Sequence, residues 1–230
     1  MNSEVIPPAP IPAPSSATQT AYRTLRRMIL TGALKPGEKL KIGRLREHLG
    51  TGASPIREAL SLLTSDNLVD RIDQRGFRAA PMSRANFAEI LGMRCVLEDM
   101  ALRQSLAHRT DAWEERVVLC HHRLARTGSP QSSDREYEGR HKAFHMALLS
   151  DCPGPILRKF CSQLYDLNIR YRYLAGRGET YRHRDVSGEH AAILDAVMSG
   201  DADRASATLI GHYRETGASV AAMLDGMEPG

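Results

Sequence analysis

The chain has 230 residues, of which 42% are hydrophobic and 25% are charged, and this is sufficient for one or two domains with a hydrophobic core. Its formal net charge of +4 is too small by itself to indicate a nucleic-acid partner. The sequence lacks a signal peptide and an apolar run of the ~18 residues that cross a bilayer, so it predicts a cytoplasmic protein without a membrane partner. The four cysteines have no CxxC spacing, which excludes a zinc knuckle and a CxxC redox pair.

The charge is divided unevenly along the chain. Residues 1–80 contain 12 Lys and Arg against 7 Asp and Glu, a net charge of +5, whereas residues 81–230 have a net charge of −1. Eight of the nine histidines also follow residue 80. A basic N-terminal part joined to a nearly neutral body predicts that the two parts bind different partners.

The N-terminal part begins with a proline-rich arm and continues with three short helices. Residues 1–16 contain five prolines, which predicts a disordered or polyproline conformation. Gly32 is expected to end the first helix and Gly50 the second. Ser54 is predicted as the N-cap of the third helix, with Pro55 in its first turn.

A β-hairpin is predicted after the third helix, where residues 68–73 and 77–81 flank a tight turn. Three helices followed by a hairpin form a winged helix-turn-helix, which we assign to residues 17–81. Residues 82–230 show helical periodicity without a convincing strand, so they predict an all-helical bundle and the chain a mainly α fold. The helices predicted in this part span residues 84–107, 111–126, 134–150, 155–175, 186–199 and 201–223.

The predicted helix-turn-helix supplies candidate DNA contacts, because the N-terminal end of its second helix meets base edges in the major groove. Arg57 can bind guanine or clamp a phosphate with its guanidinium fork, and small residues before it allow close approach of the backbone. Arginines on the preceding helix and at the wing tip are candidates for phosphate contacts. The residues predicted to contact DNA are Arg44, Arg46, Gly52, Ser54, Arg57, Arg75 and Gly76.

Four sequence segments resemble one known family. The segment LGTGASPIREALSLLTSDNLV…DQRGFRAAP (49–81) resembles the winged helix-turn-helix of GntR-family transcription regulators. Three later segments resemble the FCD effector domain of the FadR branch: MRCVLEDMALRQS (93–105), HKAFHMALLSDC (141–152) and GEHAAILDAVMSGDADRASATLIGH (188–212). Within that branch the motifs look most similar to the carbon-starvation-induced regulators. The resemblance implies a homodimer that binds a palindromic operator, with residues 82–230 forming the effector-binding and dimerisation domain.

Four histidines fall on apolar stripes of three predicted helices, so each is expected to face the interior of the bundle. One such histidine is usually an ordinary core residue with a hydrogen-bond partner. Four are costly to bury separately, and convergence on one metal ion would remove that cost. The FCD resemblance maps a divalent-metal site onto His141, His145, His190 and His212, where His141 replaces the usual Asp.

An all-imidazole ligand set favours zinc or nickel over magnesium or calcium. Because these ligands are neutral, the bound ion keeps both positive charges, which favours an anionic effector. Arg94 could simply pair with Glu98 on the same helix, but in FCD relatives this arginine points toward the effector cavity. Arg172 is a second candidate for binding a carboxylate.

The sequence therefore predicts a DNA-binding transcription repressor, not an enzyme, whose helical domain binds a divalent metal and a small carboxylate. An alternative is the same regulator with a purely structural or absent metal and an acyl-CoA-like effector. A more remote alternative is a metal-dependent hydrolase. A hydrolase would need a general base beside the metal-bound water. The nearest carboxylate in the sequence, that of Glu189, is expected to point about 100° away from its neighbour His190 on the helix.

Overall fold

The computed structural model describes residues 16–72, 75–127, 135–175 and 184–225, and within these ranges the fold is mainly helical. The predicted arm therefore lies outside the described residues except for Ser16, which caps the first helix by accepting a hydrogen bond from the Gln19 amide. In chain order the elements are α1 (Ala17–Leu30), α2 (Ile42–Leu49), α3 (Ala53–Ser65), β1 (Val69–Ile72), β2 (Gly76–Ala79), α4 (Arg84–Ala107), α5 (Asp111–Ala125), α6 (Arg135–Leu148), α7 (Pro155–Ala175), α8 (Val186–Met198) and α9 (Ala202–Asp225).

Helices α1 to α3 pack their apolar stripes together around Leu25, Ile56 and Leu60, all fully buried. Gly50 ends α2 with a left-handed φ of 60°, as its position after the last apolar residue predicts.

One predicted detail of α3 is wrong. The helix begins at Ala53 with Gly52 as its N-cap, so Ser54 is a helical residue and not the cap. The hydroxyl of Ser54 donates to Glu58 at 3.2 Å. Pro55 tolerates this shift, because the first amides of a helix have no intrahelical acceptor and its missing N–H costs nothing there.

Strands β1 and β2 form the predicted antiparallel hairpin, with Val69 opposite Ala79 and Ile72 opposite Gly76. The segment between α1 and α2 extends this small sheet, because the amide of Leu40 donates to the carbonyl of Phe77 at 2.8 Å. The order of three helices and a hairpin is the predicted winged helix-turn-helix.

The C-terminal helices form a bundle around Trp113, Phe144, Leu148, Ile193 and Leu209, which are fully buried. The indole N–H of Trp113 donates to the carbonyl of Ala147 at 2.9 Å and joins α5 to α6. Each predicted helix of this part agrees with the structure to within two residues at either end. In the part of the chain that the structure describes, no helix is long and apolar enough to span a bilayer.

Helix α7 connects the two parts of the chain. Its residues Tyr165 and Ile169 belong to the same buried cluster as Leu25 of α1, and Arg170 donates to the carbonyl of Ala80 at 2.7 Å. The ring of Tyr171 lies 4.9 Å from that of Phe87 on α4. The helical domain therefore contacts the N-terminal module both at its core and at the linker.

Candidate metal centre and nucleic-acid interface

The structure brings the four histidines predicted as metal ligands together inside the bundle. His141 and His145 lie one turn apart on α6, His190 lies on α8 and His212 on α9. One ring nitrogen from each lies within 4.8 Å of the corresponding nitrogens of the others, and all four side chains are buried. We call these four residues the histidine cluster.

The spacing of the histidine cluster is close to that of a ligand set around one ion. Imidazole nitrogens bind zinc at about 2.0–2.1 Å, so the ligands of one ion lie about 3–4 Å from one another. The observed limit of 4.8 Å requires only a small inward adjustment of the side chains.

Hydrogen bonds to second partners orient two of the rings and define which nitrogen faces the centre. The hydroxyl of Tyr213 donates to the buried carboxylate of Glu98, so its oxygen accepts from Nδ1 of His145 at 3.1 Å. Nδ1 of His212 donates to Oε2 of Glu189 at 2.6 Å. In this tautomer Nε2 of each ring carries the lone pair that a metal requires.

The third oriented ring is that of His141, whose Nδ1 lies 2.5 Å from the hydroxyl of Tyr165 on α7. The same ring contacts Arg172, whose guanidinium nitrogen lies 3.0 Å from Nδ1. Arg172 also donates to Glu138 at 2.7 Å, which balances part of its positive charge. His141 is therefore in contact with a fixed cation as well as with its fellow histidines.

Two buried nitrogens of the histidine cluster lack a hydrogen-bond partner among the described residues, namely Nε2 of His145 and Nε2 of His190. A buried polar atom left in this state is energetically costly, and such atoms are uncommon in folded proteins. Both atoms belong to the set whose mutual spacing suits an ion. The residues present therefore fit a bound divalent metal.

The electrostatics keep these rings neutral. Burial lowers the pKa of His141, His145 and His190 well below the usual value, and neighbouring positive charges act in the same direction. Burial also lowers the pKa of His212, although its contact with Glu189 opposes this. Neutral imidazole is the form that binds a metal, so no proton has to be displaced at neutral pH.

Both predicted effector-binding arginines lie beside the histidine cluster. Nε of Arg94 donates to Glu98 at 2.6 Å, so the simple pair within α4 exists, and the guanidinium also lies 4.2 Å from the ring centroid of Tyr213. The two arginines line a small gap with a volume of ≈ 10 Å³, about the space of one water molecule. Its lining residues are Arg94, His141, Asn168, Arg172, His212, Tyr213 and Thr216.

Glu189 contacts the histidine cluster through a different helix from its own. It accepts hydrogen bonds from His212 and, at 2.5 Å, from Arg184. Its angle relative to His190 on α8 does not decide its surroundings, because α9 packs alongside and brings His212 to it.

No sequence pattern points to the other residues that orient the histidine cluster. Tyr165 and Tyr213 lie 24 and 68 residues from the histidines that they contact, so no short motif contains both partners. Only Glu98 could have been found, through its spacing from Arg94.

The residues predicted to contact DNA all lie exposed on α2, on the N-terminal end of α3 or at the wing. Within the described residues, Arg44, Arg46, Arg57 and Arg75 form no ion pair with an acidic side chain. By contrast, Arg78 on the same hairpin pairs with Asp70 at 2.9 Å. The surface thus presents uncompensated positive charge at the positions that a helix-turn-helix places against a duplex.

Comparison with protein families matches residues 17–78 to the bacterial regulatory proteins of the gntR family and residues 89–215 to the FCD domain. The chain belongs to the GntR family. As a GntR regulator with an FCD domain, it is a DNA-binding transcription regulator, and its family and relatives are regulators and not enzymes.

Individual relatives of this GntR regulator agree with that assignment. It is 35% identical to the uncharacterized HTH-type transcriptional regulator BphR of Paraburkholderia xenovorans strain LB400, over 91% of this chain and 87% of that protein. It is 32% identical to the HTH-type transcriptional repressor GlaR of Escherichia coli strain K12, over 83% and 90%. Among solved structures, E. coli McbR/YncC superposes with a TM-score of 0.75 at 22% identity, covering 93% of this chain and 100% of that chain, which supports the fold.

Proposed function

We propose that this GntR regulator is a repressor whose affinity for its operator responds to a small carboxylate bound beside a divalent metal in the helical domain. The carrying observation is the histidine cluster, with two buried nitrogens that lack partners and two guanidinium groups at the same cavity. Cationic groups converging on one cavity favour an anion.

In this proposal His141, His145, His190 and His212 hold zinc or nickel. When bound, the metal would supply a Lewis-acidic positive charge that attracts a carboxylate. Arg94 binds the same carboxylate through its guanidinium nitrogen Nη2, which has no hydrogen-bond partner among the described residues. Arg172, which lies at the same gap, is the second candidate for the carboxylate. The hydrogen bonds to Tyr213 and Glu189 keep the imidazoles aimed at the centre.

The metal-free alternative with an acyl-CoA-like effector is less favoured. Without an ion, Nε2 of His145 and of His190 stays buried and unpaired in the described structure.

At the DNA interface, we propose that Arg57 and Ser54 contact base edges while Gly52 allows close approach of the backbone. Arg44 and Arg46 on α2, with Arg75 and Gly76 at the wing, contact phosphates and fix the orientation of the module.

The proposed regulator is a homodimer with a palindromic operator. Helices α4 and α7 pack antiparallel, since the ring of Phe87 meets Tyr171 at one end and Gln104 meets Cys152, just before the start of α7, at the other. These two helices expose the apolar side chains of Met93, Val96, Met100, Ile156 and Phe160. A second copy of the chain is the occupant that we propose for this surface, because one two-fold axis would then serve the protein and its operator.

The sign of regulation and the location are part of the same proposal. One relative at 32% identity is named a transcriptional repressor, which supports repression relieved by the effector. A regulator of this kind acts where the chromosome lies, in agreement with the cytoplasmic location expected from the sequence.

Metal content of the purified full-length protein tests the proposal. After loading with Zn²⁺ and removal of free ion, we expect about one equivalent per chain, with a loss of most of it in His190→Ala and His212→Ala. The matched control His122→Ala removes an exposed histidine and should retain the metal. A series of C4–C6 carboxylates should then include one that raises the Tm of the loaded wild type. Less than half an equivalent in the wild type would contradict the metal site.

A further inference from the structure

Two neighbouring residues of α7 connect the histidine cluster to the DNA-binding module. The first is Tyr165, whose ring belongs to the buried apolar cluster that includes Leu25 and Ile29 of α1. Its hydroxyl lies 2.5 Å from Nδ1 of His141. One buried side chain therefore touches both a proposed metal ligand and the core of the module that binds DNA.

The second residue is Asp166, which forms a bridge between three helices. It accepts from Nζ of Lys142 on α6 at 2.7 Å and pairs with Arg26 on α1. Lys142 directly follows His141, so the two connections leave α6 from adjacent positions. The three side chains expose between 15% and 28% of their area, which reduces the screening of these ion pairs by solvent. We call Arg26, Lys142 and Asp166 the α1 latch.

The surroundings of the α1 latch leave room for movement. A cleft of ≈ 1120 Å³ separates much of α1 from α6 and α7, and it is lined by Arg23 and Arg27 on one side and by Gly139 and Tyr173 on the other. Closely packed side chains pass a displacement of one helix on to its neighbour, whereas helices separated by an open cleft can move relative to each other. Tyr165 and Ile169 are the buried members of the helical domain in the α1 cluster, and the latch adds ion pairs beside them.

We propose that Tyr165 and the α1 latch couple occupancy of the histidine cluster to the position of α1, and through α1 to the DNA-binding module. This inference rests on the proposed metal site. An ion that holds His141 favours one arrangement of α6 and of the Tyr165 hydroxyl, and the latch extends that preference to Arg26. The ion shifts the equilibrium between two positions of α1 by the difference in its binding free energy for the two. The coupling is reciprocal, so the position of α1 changes the affinity for the ion by the same factor.

Hydrogen exchange of the full-length protein, without metal and saturated with Zn²⁺ alone, tests this coupling. In the wild type we expect Zn²⁺ to slow exchange of the α1 amides about fivefold or more, the lower end of ordinary allosteric couplings. Asp166→Asn and Arg26→Gln should abolish this slowing in α1 while keeping Zn²⁺ bound and α8 protected. Tyr165→Phe keeps the ring in the apolar cluster but removes the hydroxyl, so it should reduce the slowing of α1 exchange at saturating Zn²⁺.

The matched control is Asp195→Asn, which removes an exposed ion pair with Arg204 and should behave as the wild type. Arg26→Gln interrupts the latch from the opposite side, so the test survives if Asp166→Asn fails to fold. Zn²⁺ that binds the wild type without slowing α1 exchange, or that slows it equally in both latch variants, overturns the coupling and leaves the metal site standing. A wild type that binds no Zn²⁺ overturns the proposed metal site itself.

Discussion

At the scale of single residues, the hydrogen bond from His145 to Tyr213 is the clearest device for holding a metal ligand. Removing the hydroxyl in Tyr213→Phe leaves the ring packing intact but releases Nδ1 of His145 from its acceptor. Loss of such an outer partner typically lowers metal affinity 10–100-fold, and we expect a decrease of about that size. Competition with a chromophoric chelator measures the Zn²⁺ affinity.

The control for this prediction is Tyr171→Phe, which removes another buried hydroxyl that bonds Asn86 and lies away from the histidine cluster. Its Zn²⁺ affinity should match the wild type. If Tyr213→Phe also binds Zn²⁺ within about twofold of the wild type, Tyr213 does not orient the ligand.

Helical spacing predicted that the four histidines face the bundle interior, and the resemblance to FCD domains placed them and Arg94 at one site. Helical spacing could not predict Tyr165 or Tyr213, whose partners come from other helices. Glu189 shows what helical spacing alone does not predict. Its direction on α8 was predictable, but the approach of α9 decided what it contacts.

At the scale of elements, α2 and α3 make different expected contributions to DNA binding, and two arginines distinguish them. Arg57→Ala should weaken binding to the operator by about 1–3 kcal/mol with a smaller effect on unrelated DNA, because it removes a base contact. Arg44→Ala should weaken both kinds of DNA alike and lower the salt dependence by about one unit, because it removes a phosphate contact. Fluorescence anisotropy at several salt concentrations measures both.

Arg78→Ala provides the control for these variants, since its guanidinium already pairs with Asp70 on the same hairpin. We expect it to retain most of the operator affinity. Equal losses of operator and unrelated DNA in Arg57→Ala would show that Arg57 contacts only phosphate.

The elements themselves were largely predictable because their signals are local. Gly50 in a left-handed conformation ends α2, and Ser83 and Thr110 cap α4 and α5 within a few residues of each helix start. The N-cap of α3 was misplaced by two residues, because Gly52 and Ser54 are both acceptable caps and the sequence offers no means of choosing between them.

At the scale of the whole molecule, α4 explains why an interface is harder to predict than a helix. Its buried side includes the charged residues Arg94 and Glu98, while Met93, Val96 and Met100 are exposed. Other apolar residues of α4 are buried, so apolar residues lie on both sides of the helix and a rule that places them inward gives no single orientation. The fold shows that the charged residues face the histidine cluster and that the exposed apolar residues lie on the surface.

The proposed dimer gives this apolar side a testable role. Val96 is 60% exposed, and Val96→Glu places a carboxylate on the surface that we propose to be covered. Two-fold symmetry introduces the charge twice in each dimer, so we expect a cost of about 3 kcal/mol or more, or at least about 100-fold in the dimer Kd. Sedimentation velocity should then detect monomers. These monomers should have normal Zn²⁺ content and weakened binding to the palindromic operator.

The control Val118→Glu alters an equally apolar exposed position on α5 and should leave the dimer intact. An unchanged dimer in Val96→Glu, or equal dissociation in both variants, would place the interface elsewhere on the molecule.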